Sequence, residues 1–361
     1  MARVAIAGAT GLVGREVARV LRAGGHEVAE ISRSAGVDIL DGAGLDEALA
    51  GASAVIDVLN TPELAADRAI AFFETTTRNL LGAERRAGVG HHVLLSIVNV
   101  DAVEKNGHYA GKRAQERLVR TGPVPWTIQR ATQFFDFAGM VASWTTRDGV
   151  ATVAPLLVQP VAVADVAGVL ADAAVGPAQE MAPDLAGPEP LDFVDMARRT
   201  LAARGETTGV RASWRDGPFG TEMGGEVLLP GPDARLGPAT FESWLSQQGP
   251  RAAAETYFAA WQDRDFGRLR SVLADDATFR GPLGTADSGD ECLAGLRGMA
   301  EMLTRVNVLK MWVNGPDVLT WFDLHTTRAA PAPTANWMHV EDGKITRIRV
   351  TFDPREITGQ T

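Results

Sequence analysis

The glycines near the N-terminus carry the clearest chemical signal. Gly8, Gly11 and Gly14 stand three apart in Gly8-Ala9-Thr10-Gly11-Leu12-Val13-Gly14. The run Arg3-Val4-Ala5-Ile6-Ala7 precedes them as a short buried strand, and Arg15 to Ala23 follows as a helix. A strand, a glycine turn and a helix in that order form a cradle for phosphate. Gly8 allows the tight turn, Gly11 keeps side chains off a pyrophosphate, and Gly14 lets the helix pack closely on the sheet. Gly8, Thr10, Gly11, Leu12, Val13 and Gly14 are therefore the expected dinucleotide contacts.

The next strand, read over 26–32, ends in Ser32-Arg33. An acid there would bond a ribose 2′-hydroxyl, whereas an arginine suits a 2′-phosphate. Ser32 and Arg33 thus favour NADP(H) over NAD(H), with Glu30 close enough to argue the other way. Asp38 and Ile39 fall where a short segment lies beside an adenine. Asn60, Thr61, Ser96, Thr132 and Gln133 follow at later strand ends. Ligands on parallel sheets sit beyond those ends, so separated stretches converge on one site.

The elements that must hold these residues are apolar strands at 54–59, 93–95 and 126–129. They alternate with helices at 45–49, 63–87, 108–120, 164–174 and 192–204. That pattern predicts an α/β domain with a doubly wound parallel sheet. Gly249-Pro250 breaks the chain, so the expected domains are 1–248 and 249–361. In the second, a helix at 251–264 puts Tyr257, Phe258 and Trp261 on one buried stripe, which 269–273 continues. A helix at 291–303 follows, then strands at 306–313, 318–327, 333–340 and 344–352. Asp342-Gly343 is a hairpin signal. Helices first and an antiparallel meander afterwards predict a smaller α+β domain.

At 361 residues the chain is long enough for two domains. Its 45% hydrophobic and 22% charged content is ordinary for a soluble protein. A net charge of -10 without an acidic tail argues against nucleic acid or an anionic membrane as partner. No apolar run reaches bilayer length, and Arg3 interrupts the N-terminal segment before it could read as a signal peptide. One cysteine, Cys292, fits a reducing compartment, so a cytoplasmic location is expected. Zinc-type spacing is absent, so no metal is expected.

The first 248 or so residues resemble the atypical short-chain dehydrogenase/reductase family, in its NmrA-like branch. Gly8 to Gly14, Val37-Asp38-Ile39, Ser96, Lys112 with Gln115-Glu116, Pro125-Trp126-Thr127-Ile128, Arg130 to Phe134 and Val161 to Val166 carry the resemblance. It implies a Rossmann-type fold, a nicotinamide cofactor (usually NADP), and often reduction of a carbonyl or an activated double bond. The branch also contains redox sensors that bind the dinucleotide and catalyse nothing.

Active members of the wider family use Tyr-x-x-x-Lys, in which the Lys lowers the Tyr pKa and holds the nicotinamide ribose. Here the helix reads His108-Tyr109-Ala110-Gly111-Lys112, so His108 occupies the tyrosine position. At about 100° per residue, His108 lies roughly 40° from Lys112 around the helix and Tyr109 roughly 60° to the other side. Three readings stay open. His108 is the general acid; Tyr109 takes that role; or the acid is lost and Lys112 only binds cofactor. Ser96 sits where the family places a polar residue facing the nicotinamide or substrate, or else it caps a turn. An activated double bond could be reduced without a strong acid.

Residues from about 251 to 357 resemble the SnoaL-like group of the nuclear-transport-factor superfamily. Tyr257-Phe258-Ala259-Ala260-Trp261, Leu273 to Phe279 and His339 to Asp353 carry this second resemblance. It implies a cone: a curved sheet wrapped on helices around an apolar pocket. Members include polyketide cyclases, isomerases, dehydratases and epoxide hydrolases, and plain binding or dimerising domains; a homodimer through the C-terminal sheet is within its range. Such pockets isolate a carboxylate or His among apolar walls to shift its pKa. Strand alternation puts Asp323 with Trp321 and His325, His339 with Trp337, and Asp353 with Arg347, Arg349 and Thr351. Asp353, His339 and Asp323 are the first candidates for pocket chemistry. The alternative is that these faces are polar because they meet water or a dimer partner.

The combined expectation is an NADP(H)-dependent oxidoreductase acting on a small polycyclic or polyketide-like carbonyl or enone compound. The fused cyclase-, isomerase- or dehydratase-like domain would act on or bind the same compound. Two alternatives stand beside it: a non-catalytic NAD(P) sensor with a ligand-binding or dimerisation domain, and a cofactor-independent cyclase or hydratase in the C-terminal domain.

Overall fold

The computed structural model describes residues 1–358 except 64, 205 and 216. The chain divides into two compact units, one of residues 1–197 with 210–241 and one of residues 198–209 with 242 onward. The expected division at 248/249 compares with this one at 241/242, and 198–209 groups with the second unit.

In the first unit, β1 (Arg3–Ala7), β2 (Glu27–Ile31), β3 (Ala54–Asp57), β4 (His91–Ile97) and β5 (Trp126–Ala131) form a parallel sheet in the order β2-β1-β3-β4-β5. Short strands at 180–181, 185–186 and 235–236 extend it past β5. The helices are α1 (Leu12–Ala23), α2 (Leu45–Leu49), α3 (Ala66–Ala87), α4 (Gly107–Arg120), α5 (Phe137–Thr145) and α6 (Val163–Val175). Alternation along β1 sorts the two faces. Val4 and Ile6 pack with Val17, Leu21 and Leu170 of α1 and α6. Ala5 and Ala7 pack with Leu45, Leu49, Leu80 and Ala83 of α2 and α3. Each buried Val or Leu adds about 1.5–3 kcal/mol relative to exposure. Both faces are covered, as the continuous apolar strands require. The strand order reverses between β1 and β3, which opens a crevice at their carboxyl ends.

Helix α5 had no periodic signal, because Phe137-Ala138-Gly139-Met140-Val141-Ala142 has no polar face. Asn106, which the sequence reading does not single out, starts α4. Its Oδ1 accepts the N–H groups of His108 and Tyr109 at 3.0 and 3.3 Å, so Asn106-Gly107 was a readable cap.

In the second unit, helices Pro250–Gln262, Phe266–Ser271 and Gly289–Ala300 accompany a six-stranded sheet. Its order is 284–286, 273–281, 344–351, 332–341, 317–326, 303–314. The helix expected through 269–273 stops at Ser271, and strand Leu273–Gly281 begins there. Leu269 and Leu273 are both buried, and their spacing of four imitates a helix although they lie on different elements. That strand pairs parallel with Lys344–Thr351, so the sheet is mixed and not a pure meander. The hairpin at Asp342-Gly343 holds φ of 49° and 72°, the two positive values a tight hairpin turn needs. Tyr257, Phe258 and Trp261 are buried as expected, and the Phe258 ring lies 5.0 Å from Phe322.

Candidate functional site

The glycine loop lies at the β1/β3 crevice. Gly8 has φ +90°, and a Cβ there would lie 3.0 Å from the Val58 carbonyl oxygen, so its close approach to the end of β3 needs glycine. A Cβ on Gly14 would lie 2.1 Å from the Gly8 carbonyl oxygen and 2.8 Å from Ala9 Cα. No side chain caps α1 and no acid lies in its first turn, so its N-terminal N–H groups face the crevice rather than a carboxylate. Thr10, Gly11 and Leu12 are exposed there, and Val13 turns into the core. A cradle that a Cβ would fill, at an uncapped helix start, fits a dinucleotide diphosphate.

At the end of β2, Ser32 Oγ and Ser34 Oγ lie 3.0 Å apart and Arg33 is exposed, with no ion pair among the described residues. Glu30, the residue that argued for NAD(H), is tied to Arg22 at 2.6 Å. Asp38 Oδ1 accepts the Leu40 N–H at 2.9 Å, and the Ile39 carbonyl accepts Asn79 Nδ2 at 3.0 Å. Asn60 Oδ1 accepts the Thr61 N–H at 2.9 Å, and Thr61 Oγ1 accepts the Glu63 N–H at 3.3 Å.

The helix with the candidate acids departs from expectation. His108 packs edge-on to Phe73, with ring centroids 5.7 Å apart. Burial, and then the Lys112 charge, push its pKa down to about 4. At neutral pH it is a neutral imidazole, which weighs against the one of the three readings that makes it an imidazolium general acid. Tyr109 is buried against Gln133, and burial raises its pKa well above the usual phenol value. It keeps its proton throughout the neutral range.

Lys112 is held within the fold. Its Nζ donates to the Leu95 carbonyl at 3.0 Å, to Gln115 Oε1 at 2.9 Å and to the Leu59 carbonyl at 3.4 Å. Three donors meet three acceptors in this arrangement. Gln115 Nε2 in turn donates to Asp57 Oδ2 at 2.9 Å, and Asp57 is fully buried. Burial lowers the Lys112 pKa to about 8, with Asp57 and then Glu116 opposing. Asp57 was not anticipated, although a carboxylate closing the apolar run Ala54-Val55-Ile56 was a signal for a paired buried charge.

Ser96 is 3% exposed and its hydroxyl has no hydrogen-bond partner among the described residues. Gln133 Oε1 is likewise buried and unpaired. Thr132 is buried, and its hydroxyl donates to the Gln159 carbonyl at 2.6 Å. Arg130, at the same strand end, is held by Glu116 through two bonds of 2.9 and 2.7 Å and by Asp101 at 3.0 Å. Asn99, also unanticipated, has φ 50° on the loop after β4. Its Nδ2 donates to the carbonyls of Val227 and Leu229 at 3.0 and 2.6 Å, tying that segment to the loop before α4.

In the second unit all three candidates are corrected. Val318, Thr320, Phe322 and Leu324 face inward, so Asp323 faces out, where it accepts Asn307 Nδ2 at 3.5 Å. Thr334, Asn336, Met338 and Val340 face inward, so His339 also faces out, held between Asp317 at 2.7 Å and Glu341 at 2.9 Å. Asp353 is exposed, and the neighbouring Arg355 holds its carboxyl down at about 2. The outer face carries Trp312, Leu319 and Trp321, at 47%, 42% and 41% exposure. The inner face lines a cavity of about 140 Å³.

The fold and the cradle define a Rossmann-type dinucleotide-binding domain joined to a mixed-sheet α+β domain. Residues 8–177 match the family described as NAD(P)H-binding, and residues 254–348 match the SnoaL-like domain. The two matches follow one another along the chain, the first on the parallel-sheet unit and the second on the mixed-sheet unit. Among curated proteins, it is 33% identical over 188 residues to a (4-alkanoyl-5-oxo-2,5-dihydrofuran-3-yl)methyl phosphate reductase of Streptomyces griseus. The match covers 46% of this chain and 63% of the relative's length. Among solved structures, a short-chain dehydrogenase/reductase superfamily protein from Agrobacterium tumefaciens with bound NAD superimposes at TM-score 0.51 and 20% identity, covering 73% of this chain and 99% of its own. The Bordetella bronchiseptica enzyme WbmH in complex with NAD+ gives TM-score 0.52 at 14% identity, covering 69% and 97%. Both show the shared fold. Among the described residues no helix is long and apolar enough to cross a membrane, and no group of His, Cys, Asp or Glu could hold a metal ion.

Proposed function

We propose that the chain is an NADP(H)-dependent oxidoreductase that reduces a carbon–carbon double bond polarised by a neighbouring carbonyl, in a small polyketide-like compound. The uncapped glycine cradle carries the assignment of the dinucleotide. Exposed, unpaired Arg33 beside Ser32 supports a 2′-phosphate. When bound, the nicotinamide supplies hydride. The chain's own residues supply the rest: Gly8, Gly11 and the start of α1 hold the diphosphate, and Ser96 offers a free hydroxyl at the end of β4.

The choice of bond follows from the missing acid. A simple ketone needs a proton at oxygen as its bond is reduced. His108 is neutral, Lys112 has its donors engaged, and Tyr109 is buried against Gln133. A polarised alkene spreads its charge onto the carbonyl and can take its proton from water afterwards. The relative's substrate has this character, since a 4-alkanoyl-5-oxo-2,5-dihydrofuran sets a ring double bond beside two carbonyls.

The test follows NADPH oxidation with 2-cyclohexenone, an acylated butenolide and cyclohexanone. Turnover is expected with the first two only, preferring NADPH over NADH. His108→Phe should keep the rate within about threefold, and Arg33→Glu should cut the NADPH preference at least about tenfold, as loss of a charge-assisted contact predicts. Reduction of cyclohexanone that disappears in His108→Phe would restore the acid role. The neutral His108 also favours a second reading, a dinucleotide sensor, which predicts comparable binding of both redox forms and no turnover with any acceptor.

The exposed Trp312, Leu319 and Trp321 support pairing of two copies through the outer sheet face. Sedimentation as a monomer at micromolar concentration would remove that part of the reading.

A further inference from the structure

Asn99 stands on the loop that leaves the carboxyl end of β4. Its φ of 50° is a left-handed conformation that residues other than glycine seldom adopt. Such an outlier persists only where its surroundings hold it, and outliers of this kind gather at functional sites. Val98 and Val100 on either side are fully buried. The rest of the loop is fixed from α4 and β5. Arg113 donates to the Val100 and Val103 carbonyls at 2.7 Å each and to the Glu104 carbonyl at 3.2 Å, and Arg130 reaches Asp101.

The two carbonyls that Asn99 holds, those of Val227 and Leu229, belong to a strap. Before the strap, Gly209–Ala212 pairs with Val150–Val153. After it, Arg235–Leu236 joins the parallel sheet beside Leu185–Ala186. Between these strands the described residues form only the short turn of helix Thr221–Met223. With so few backbone bonds of its own, the strap takes its position from side chains. Asn106 supplies a second tie, since its Oδ1 caps α4 while its Nδ2 meets Met223 Sδ at 3.8 Å. Phe219 packs on Phe137 and Phe193, with ring centroids 5.8 and 6.4 Å apart. Met223 and Leu228 are buried, whereas Glu222 and Glu226 are exposed. Both asparagine ties lie beyond the carboxyl end of β4, where a parallel sheet places its ligands. A dinucleotide that starts on the β1 loop crosses the crevice toward this half of the sheet.

We propose that the strap 217–231 walls the acceptor side of the dinucleotide site, and that Asn99 is the positioning residue that sets this wall. The wall suits an uncharged acceptor, because the side chains it buries are apolar and its carboxylates face water. The proposal rests on the functional reading in one respect, that an acceptor binds beside the nicotinamide. It does not depend on which bond is reduced.

The test measures acceptor binding apart from turnover. The full chain is titrated by calorimetry with 2-cyclohexenone, alone and with saturating NADP+, and the NADP+ affinity is measured on the same samples. Asn99→Gly keeps the positive φ and removes both donors. Asn99→Asp keeps the shape and sets a carboxylate oxygen against two carbonyls. Each variant should weaken 2-cyclohexenone at least about fivefold, since the ligand must first re-order a wall that two hydrogen bonds no longer hold. Each should bind NADP+ within about twofold of wild type, a split that general loosening of the fold would not give. Should Asn99→Asp not fold, Asn99→Gly decides alone, because glycine adopts this φ freely. Wild-type affinity for 2-cyclohexenone in Asn99→Gly would overturn the proposal. So would an NADP+ affinity that falls in step with that of 2-cyclohexenone, or no saturable binding of 2-cyclohexenone by the wild type under either condition. NADPH oxidation with the same probe reports on the functional reading separately. A wild type that binds 2-cyclohexenone without oxidising NADPH, and loses that binding in Asn99→Gly, fails as an oxidoreductase and keeps Asn99 in its role.

Discussion

Gly14→Ala should abolish tight dinucleotide binding. The added Cβ would stand 2.1 Å from the Gly8 carbonyl oxygen, against backbone that cannot rotate away. Either α1 moves off the loop or the loop opens, and both destroy the cradle. Overpacking of this kind costs about 1–3 kcal/mol or more, so NADPH affinity should fall at least about 10- to 100-fold. Gly11→Ala should be milder for the fold, since its Cβ would lie 3.2 Å from the Gly8 carbonyl oxygen. Gly168→Ala on α6 is the control. Its Cβ meets nothing within 4 Å, and the change should stabilise the helix by up to about 1 kcal/mol. Fluorescence titration with NADPH and a thermal melt separate binding from folding. Wild-type NADPH affinity in Gly14→Ala would remove the loop from the site.

The cradle was legible because its chemistry is written in local spacing. Gly8 to Gly14 need only the strand before them and the helix after them, and both lie where periodicity places them. The helix carrying His108 and Lys112 was legible as a helix but not as a site. Its outcome depends on Phe73, Leu59 and Leu95, which belong to other elements and carry no motif. The second unit shows a subtler limit. Alternation correctly groups Trp321 with Asp323 and His325, and Trp337 with His339. Which group faces inward is decided by the other set: Val318, Phe322 and Leu324 in one strand, Met338 and Val340 in the next. Choosing the inward face by its reactive groups selected the wrong parity.

Lys112→Met tests whether the lysine works on the cofactor or on the fold. Lys112 is buried and reaches the fully buried Asp57 through Gln115. Removing the cation leaves Asp57 charged without its counter-ion, which costs about 3–5 kcal/mol. The lowered pKa of Lys112 says that desolvation outweighs the pull of Asp57, so the pair as a whole adds little to stability. Its sign fixes a pH window. Between about 8, the folded value, and 10.5, the ordinary one, the unfolded chain binds more protons at this group. Wild-type stability should therefore gain from Lys112 as pH rises through that window, and the Met variant should lack that contribution. Lys112→Met with Asp57→Asn removes both charges and should recover most of the lost stability. Binding then decides the role. With its three donors engaged, Lys112 acts by holding the Leu59 and Leu95 carbonyls, and with them the strand ends that carry Asn60 and Ser96. The double variant should accordingly bind NADPH within a few-fold of wild type once refolded. A double variant that is stable but still more than tenfold weaker for NADPH would show instead that the ammonium turns from its carbonyls to the bound ribose.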